Sequence, residues 1–229
     1  MNKTCLRIGH RGAKGYVAEN TIESIQHALS LDVDGIEIDI HQCASGELVV
    51  FHDFTLDRVT NGSGEISEHI LSELKHLKVK EQYSIPTLED VLNLIDKKCL
   101  LNIELKGKNT VEETSRLIDF YVDKKGWKYQ DFIVSSFQQD LLASVYKINK
   151  KIPLGVLTDT DLDQAIAFGK TIHAVAIHPD YTMLTKTHIS TIKSLGFKVF
   201  TYTVNDKKTI SRMKKHKVDG VISDFPDRI

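Results

Sequence analysis

A chain of 229 residues with 30 Lys and Arg against 31 Asp and Glu carries a formal charge of −1, and 41% of it is apolar. That length allows one large domain or two small ones, and the apolar share is enough for a core that needs no disulfide or metal staple. The balanced charge excludes a dedicated nucleic-acid binder, which shows a basic excess or stripe, and the apolar content excludes a disordered chain.

Short β-branched runs alternate with longer amphipathic ones. Strands are expected at 6–9, 35–40, 100–105, 132–135, 153–157, 174–177, 198–203 and 220–223. Helical patterns lie between them at 21–31, 87–95, 111–124, 139–146, 161–168, 186–195 and 207–216. Thr87-Leu-Glu-Asp90, following Pro86, is a capping-box start. Strands that alternate with helices build parallel βαβ units, and eight such units in this length predict an α/β fold of the (β/α)8 TIM-barrel type, as a single domain over 1–229. A doubly wound sheet is the competitor. It would carry a Gly-rich phosphate loop, and the glycines at 9, 12 and 15 do not have that spacing. One segment breaks the rhythm: 47–51 reads as an extra strand after a Ser45-Gly46 turn, and the polar residues 54–86 form a short insertion after the second strand, over the barrel mouth.

Cys5, Cys43 and Cys99 are scattered and odd in number, so they form no disulfide framework or CxxC metal site and read as reduced thiols. No signal-type segment and no run near the roughly 18 apolar residues of a membrane span is present, so a cytoplasmic protein without stable membrane insertion is expected.

The polar residues that break the apolar runs fall where a barrel keeps its chemistry, at the carboxyl ends of the strands. Glu37 and Asp39 are two apart within Ile36-Glu-Ile-Asp-Ile40, so they share a strand face opposite the isoleucines. Asn102, Glu104 and Lys106 likewise share a face opposite Ile103 and Leu105. The apolar face belongs to the helices, so the acids point into the barrel. Three acids crowded there repel one another. A hard divalent cation relieves this, and all-oxygen ligands favour Mg²⁺, Ca²⁺ or Mn²⁺; a buried ion network with Arg11 and Lys106 is the alternative. His10 and His52 sit at the same rim and suit acid–base work, and the planar fork of Arg11 suits a phosphoryl oxygen. Together they point to phosphoryl transfer from a phosphodiester. A two-residue Ser45-Gly46 turn would set His52 opposite Asp39, and a four-residue loop from Cys43 would set it opposite Glu37.

These residues resemble the glycerophosphodiester phosphodiesterase family. The likeness runs through Gly9-His-Arg-Gly12, Glu19-Asn-Thr21, Glu37-Ile-Asp39, Val49-Val-Phe-His-Asp53, Leu56-Asp-Arg58, Thr60-Asn-Gly-Ser-Gly64 and Pro86-Thr-Leu-Glu89. Asn102-Ile-Glu-Leu-Lys106, Ser136-Phe137, Tyr202-Thr-Val-Asn205 and Val218-Asp-Gly-Val-Ile-Ser-Asp-Phe-Pro226 complete it, in order over nearly the whole chain. The resemblance implies a TIM barrel that hydrolyses glycerophosphodiesters to glycerol 3-phosphate and an alcohol. It implies Glu37, Asp39 and Glu104 as ligands of Ca²⁺ or Mg²⁺, His10 and His52 as the acid–base pair, and Arg11 and Lys106 as phosphate contacts. It also implies attack by the neighbouring glycerol hydroxyl through a cyclic phosphate. Two positions depart from the family pattern. Ala18 replaces a proline, and Tyr202 replaces a tryptophan of the pocket wall, which alters the pocket's shape or adds a hydroxyl. His178, expected to end the sixth strand, lies outside the pattern and reads as a structural or rim residue, with substrate contact the lesser reading.

Two rivals follow. A lysophospholipase D- or phospholipase C-like lipid phosphodiesterase would need an apolar lip, which the polar insertion and the lack of a basic amphipathic helix disfavour. An inactive barrel serving as a binding protein would have lost a ligand or a histidine, and every matched position is intact. The leaving alcohol, the native metal, the division of acid and base roles and the oligomeric state are left open by the sequence.

Overall fold

The computed structural model describes residues 5–229. In chain order its strands are β1 (Leu6–His10), β2 (Gly35–Gln42), β3 (Leu48–Val50), β4 (Leu100–Leu105), β5 (Phe132–Ser136), β6 (Leu154–Thr158), β7 (Ala176–Pro179), β8 (Lys198–Thr201) and β9 (Gly220–Ser223). The helices are α1 (Ile22–Ser30), α2 (Leu71–His76), α3 (Leu88–Ile95), α4 (Val111–Lys125), α5 (Gln139–Ile148), α6 (Leu162–Thr171), α7 (Lys186–Ser194) and α8 (Lys207–Lys215). All strands but β3 run parallel and close into a barrel through the β1–β2 pairing, so the TIM-barrel expectation holds. Expected strand and helix positions match to within a few residues at the ends.

Period-two alternation sorts the side chains. Ile36, Ile38 and Ile40 on β2, with Leu101, Ile103 and Leu105 on β4, join the outer core between sheet and helices. Inside the barrel, Ile8, Ile133, Ala176, Phe200 and Ile222 form a separate apolar floor. Helix starts follow local chemistry: Thr87 Oγ1 accepts from the Asp90 amide (3.1 Å) while Asp90 Oδ2 accepts from the Thr87 amide (2.9 Å), which is the expected capping box. At Gly12, with φ +85°, a Cβ would lie 2.6 Å from the backbone of Ser24, so the absent side chain is what lets α1 close onto the loop after β1.

The hairpin register differs from both sequence-based options. Ile40 pairs with Val50, His41 with Val49 and Gln42 with Leu48, which leaves a three-residue loop, Ala44-Ser45-Gly46. The Gly46 amide bonds Cys43 O (2.9 Å) and Gly46 takes φ +101°, the geometry of a type I turn closed by a left-handed residue. Phe51, not His52, therefore lies opposite Asp39, its amide bonding Asp39 O at 2.9 Å. The turn pair Ser45-Gly46 is compatible with either loop length, and the left-handed glycine selects the odd one.

The insertion is also less plain than a polar stretch. It contains α2, and Leu56, Val59, Ile66, Leu74, Val79 and Ile85 gather with Val49 and Phe51 into a small core of their own. These apolar residues are too irregularly spaced to register as a periodic pattern. The absence of a basic amphipathic helix needs correction as well: α8 carries Lys207, Lys208, Arg212, Lys214 and Lys215, but its apolar Ile210 and Met213 are buried in the fold rather than free for a lipid surface. No described helix is long and apolar enough to cross a membrane.

His178 is neither at the rim nor in contact with the pocket. It is fully buried on β7, its ring 5.3 Å from that of Phe200, and burial pushes its pKa down to about 3, so the ring is neutral. It lies over Gly155 of β6, where a Cβ would come 2.6 Å from His178 Nε2. A Gly155→Ala substitution is expected to destabilise the fold by about 1–3 kcal/mol through overpacking. Denaturant unfolding of Gly155→Ala, His178→Ala and the double variant checks this. The double variant should lose less than the sum of the two singles, and strict additivity would contradict the contact.

Candidate functional site

Parallel pairing of β2 with β4 sets Glu37 beside Asn102 and Asp39 beside Glu104. The alternation that sends the isoleucines outward turns these four polar residues inward, where all are buried. One ligand oxygen from each of Glu37, Asp39 and Glu104 lies within 4.8 Å of the others. The sequence-based placement of the three acids together is thus what the structure shows.

Partial compensation surrounds them. Arg11 Nε lies 3.2 Å from Asp39 Oδ2, and the Arg11 amide donates to Glu37 Oε2 at 3.0 Å. Lys106 Nζ donates to Glu104 Oε1 at 2.8 Å and lies 3.8 Å from Asp39 Oδ1. Asn20 Nδ2 donates to Asp39 Oδ2 at 2.9 Å. Arg11 and Asn20 make these contacts from left-handed backbone, φ +50° and +58°, a cost tolerated where a site needs it. Compensation is nonetheless incomplete: Glu37 Oε1 and Asn102 Oδ1 are buried without any hydrogen-bond partner. Burial, with Asp39 and Glu104 adding to it, pushes the Glu37 carboxyl well above its ordinary range, and burial followed by Asp39 lifts Glu104 to about 7. An orphaned carboxylate oxygen in an all-oxygen set fits a hard divalent cation.

Two histidines meet at this cluster because two chain segments share one edge of β2. β1 runs up that edge and ends with His10 opposite Glu37; β3 comes down it and releases Phe51 opposite Asp39. His52, one residue further, leaves the sheet toward the pocket. Each ring is held by a carboxylate at Nδ1: His10 donates to Asp224 Oδ1 and His52 to Asp53 Oδ1, both at 2.6 Å. Each Nε2 is then the accepting nitrogen, facing Arg11 Nε (3.2 Å) in His10 and Lys106 Nζ (3.4 Å) in His52. Burial, the largest influence on both, lowers their pKa values below the ordinary 6.5.

His10, Arg11, Glu37, His52, Glu104 and Lys106 line one pocket of about 210 Å³, and Phe137, Leu157, Tyr202 and Ile222 form its apolar side. Tyr202 lies just beyond β8 with its ring edge-on to Phe137, centroids 6.0 Å apart. Its hydroxyl donates to Thr158 O at 3.1 Å, so the residue presents ring rather than hydroxyl to the pocket.

Residue-by-residue reading missed the supporting groups. Asp224 is itself bonded by Asn205 Nδ2 (2.8 Å); His41 Nε2 donates to the His52 carbonyl (3.1 Å); Glu19, Asp53 and Arg58 form an ion-pair cluster at the rim. Except for His41, each stands inside a quoted motif, but nothing in a linear spacing says that Asp224 meets His10 across more than two hundred residues.

The profile of the Glycerophosphoryl diester phosphodiesterase family matches residues 10–228. A glycerophosphodiester phosphodiesterase of Caldanaerobacter subterraneus subsp. tengcongensis is 36% identical, over 98% of this chain and 96% of that relative. One from Bacillus subtilis is 33% identical, over 97% of this chain and 84% of its own length. Among solved structures, an Oleispira antarctica phosphodiesterase in complex with the product sn-glycerol-3-phosphate superposes with a TM-score of 0.87 at 30% identity, covering 97% of this chain and 94% of that one. With a barrel of the same architecture and a family match that spans almost its full length, this chain belongs to the glycerophosphoryl diester phosphodiesterase family.

Proposed function

We propose that this protein is a metal-dependent phosphodiesterase of 1–229 acting as one catalytic domain, which hydrolyses small glycerophosphodiesters to glycerol 3-phosphate and an alcohol. The observation that carries the reading is the convergence of two carboxylate-held histidines and two cationic side chains in one pocket whose wall includes Glu37 and Glu104, with Asp39 buried against both acids. The glycerol-3-phosphate held by the Oleispira relative fits the same chemistry. A cytoplasmic location accords with three cysteines that form no disulfide.

Glu37, Asp39 and Glu104 are the residues that would hold the cation, with Ca²⁺ or Mg²⁺ preferred and Mn²⁺ an alternative. Once bound, it supplies Lewis-acid polarisation of a phosphoryl oxygen and neutralises developing charge. The chain's own groups do the rest. Arg11 and Lys106 bind the non-bridging phosphoryl oxygens. One histidine accepts, at Nε2, the proton of the neighbouring glycerol hydroxyl as that oxygen bonds to phosphorus. The other, protonated at both ring nitrogens at that point, delivers its Nε2 proton to the alcohol oxygen as that oxygen's bond to phosphorus breaks. The histidines exchange roles when water opens the resulting cyclic phosphate, giving glycerol 3-phosphate. An internal nucleophile requires only alignment, a base and an acid, which is what a small, partly apolar pocket with two fixed rings provides.

Chelation of the purified protein should abolish most turnover of glycerophosphocholine, -ethanolamine, -glycerol or -inositol, and readdition of Mg²⁺, Ca²⁺ or Mn²⁺ should restore it. Glu37→Ala, Asp39→Ala and Glu104→Ala should each weaken metal binding by calorimetry. Full activity in the metal-free protein would refute the assignment. His10→Ala and His52→Ala should each lower kcat by about 10²–10⁴-fold with little change in metal affinity; near-normal kcat in both across the neutral range would remove the acid–base pair. A deoxy analogue lacking the neighbouring hydroxyl should resist cleavage, and phosphorus NMR should catch a transient cyclic phosphate with the normal substrate. Equal cleavage of the deoxy analogue would mean that water attacks directly.

A further inference from the structure

His52 is set by a loop, not by a sheet. β3 ends at Val50, two residues before it, and Asp53, the carboxylate that holds its ring, follows on a segment without strand pairing. Glu19, which grips Arg11 at 2.6 Å, likewise stands in the loop between β1 and α1. A carboxylate on a loop keeps its plane only if something fixes it.

One side chain of the insertion reaches both. Arg58 gives Nε and Nη2 to the two oxygens of Asp53 (2.5 and 3.0 Å) and Nη1 and Nη2 to the two oxygens of Glu19 (3.2 and 2.7 Å). Its guanidinium spans two carboxylates with donors in a rigid fork, which an ammonium cannot reproduce. The contacts form a continuous run from His52 through Asp53, Arg58, Glu19 and Arg11 to Nε2 of His10. Arg58 itself does not line the pocket and is about half exposed, its side chain at 48%.

We propose that Arg58 is a positioning residue for both catalytic histidines: it locks the His52 ring through Asp53 and the Arg11 guanidinium, which faces His10, through Glu19. Resting on the phosphodiesterase reading above, this gives the insertion a defined task. Its seating beside the barrel mouth and the alignment of the acid–base pair become one event.

The test uses the metal-loaded full chain. Arg58→Ala should lower kcat by about 10–10²-fold, the range expected for a displacement near 1 Å, while KM stays within about threefold. Arg58→Lys should recover kcat only in part. A second readout does not depend on turnover: ¹⁵N NMR of the imidazoles should show one fixed Nδ1-protonated form of neutral His52 in the parent protein, and an averaged or broadened signal in Arg58→Ala. A protein that fails to cleave any glycerophosphodiester would refute the phosphodiesterase reading, with the imidazole spectra still deciding whether Arg58 orders the rings. Unchanged kcat in Arg58→Ala, full recovery by lysine, a loss confined to KM, or unchanged imidazole signals would each overturn the positioning role.

Discussion

Carboxylates confined at the top of a closed barrel repel one another, and most of the site's architecture answers that repulsion. Glu37, Asp39 and Glu104 come within 4.8 Å because β2 and β4 pair in parallel with Asp39 level with Glu104. The barrel denies them water, which is why their neighbours are an arginine, a lysine and an asparagine amide rather than solvent. Two cationic side chains against three acids leave Glu37 Oε1 without a partner. The same deficit that makes the site costly as a piece of fold is what the proposed divalent cation would relieve.

The second constraint is the shared edge of β2. An eight-residue strand is long enough to pair with β1 along its first half and with β3 along its end. Two chain segments, one ending and one arriving, therefore meet head to head on that edge, and each delivers a histidine next to the acids. The odd-length hairpin puts Phe51 into the sheet and hands His52 to the loop. His52 thus gains freedom to face the pocket and loses the sheet as its support. Asp53, Arg58 and the His41 bond to its carbonyl take over that task. His10, at the end of a paired strand, is held at Nδ1 by Asp224 at the end of β9, with Asn205 behind it, and at Nε2 faces the Arg11 that Glu19 and Arg58 fix.

Beneath the site the barrel is filled rather than hollow. Ile8, Ile133, Phe200 and Ile222 form the floor, and the buried His178 occupies space that Gly155 leaves open. This floor limits the pocket's depth, so a ligand engages the charged rim on one side and Phe137, Leu157 and Tyr202 on the other.

Periodicity alone determined a good part of this. Alternating short and long patterns gave the barrel and most element positions, and the two-residue spacing of Glu37 with Asp39, and of Asn102, Glu104 and Lys106, fixed which face holds the acids. Each of these follows from a local rule, the pleat of a strand or the turn of a helix, that operates within a few residues. The tertiary structure decided what depends on contacts between distant segments. The hairpin's odd register turned on one left-handed glycine, and the insertion's own core assembled from apolar residues with no period. His178 became interior because Gly155, on the neighbouring strand, makes room for its ring. The partners of the histidines were likewise decided in three dimensions: Asp224 reaches His10 only once the last strand closes on the first, and Arg58 joins Asp53 to Glu19 only once the insertion folds back. Barrel closure and loop seating bring together residues whose separation along the chain carries no signal of their meeting.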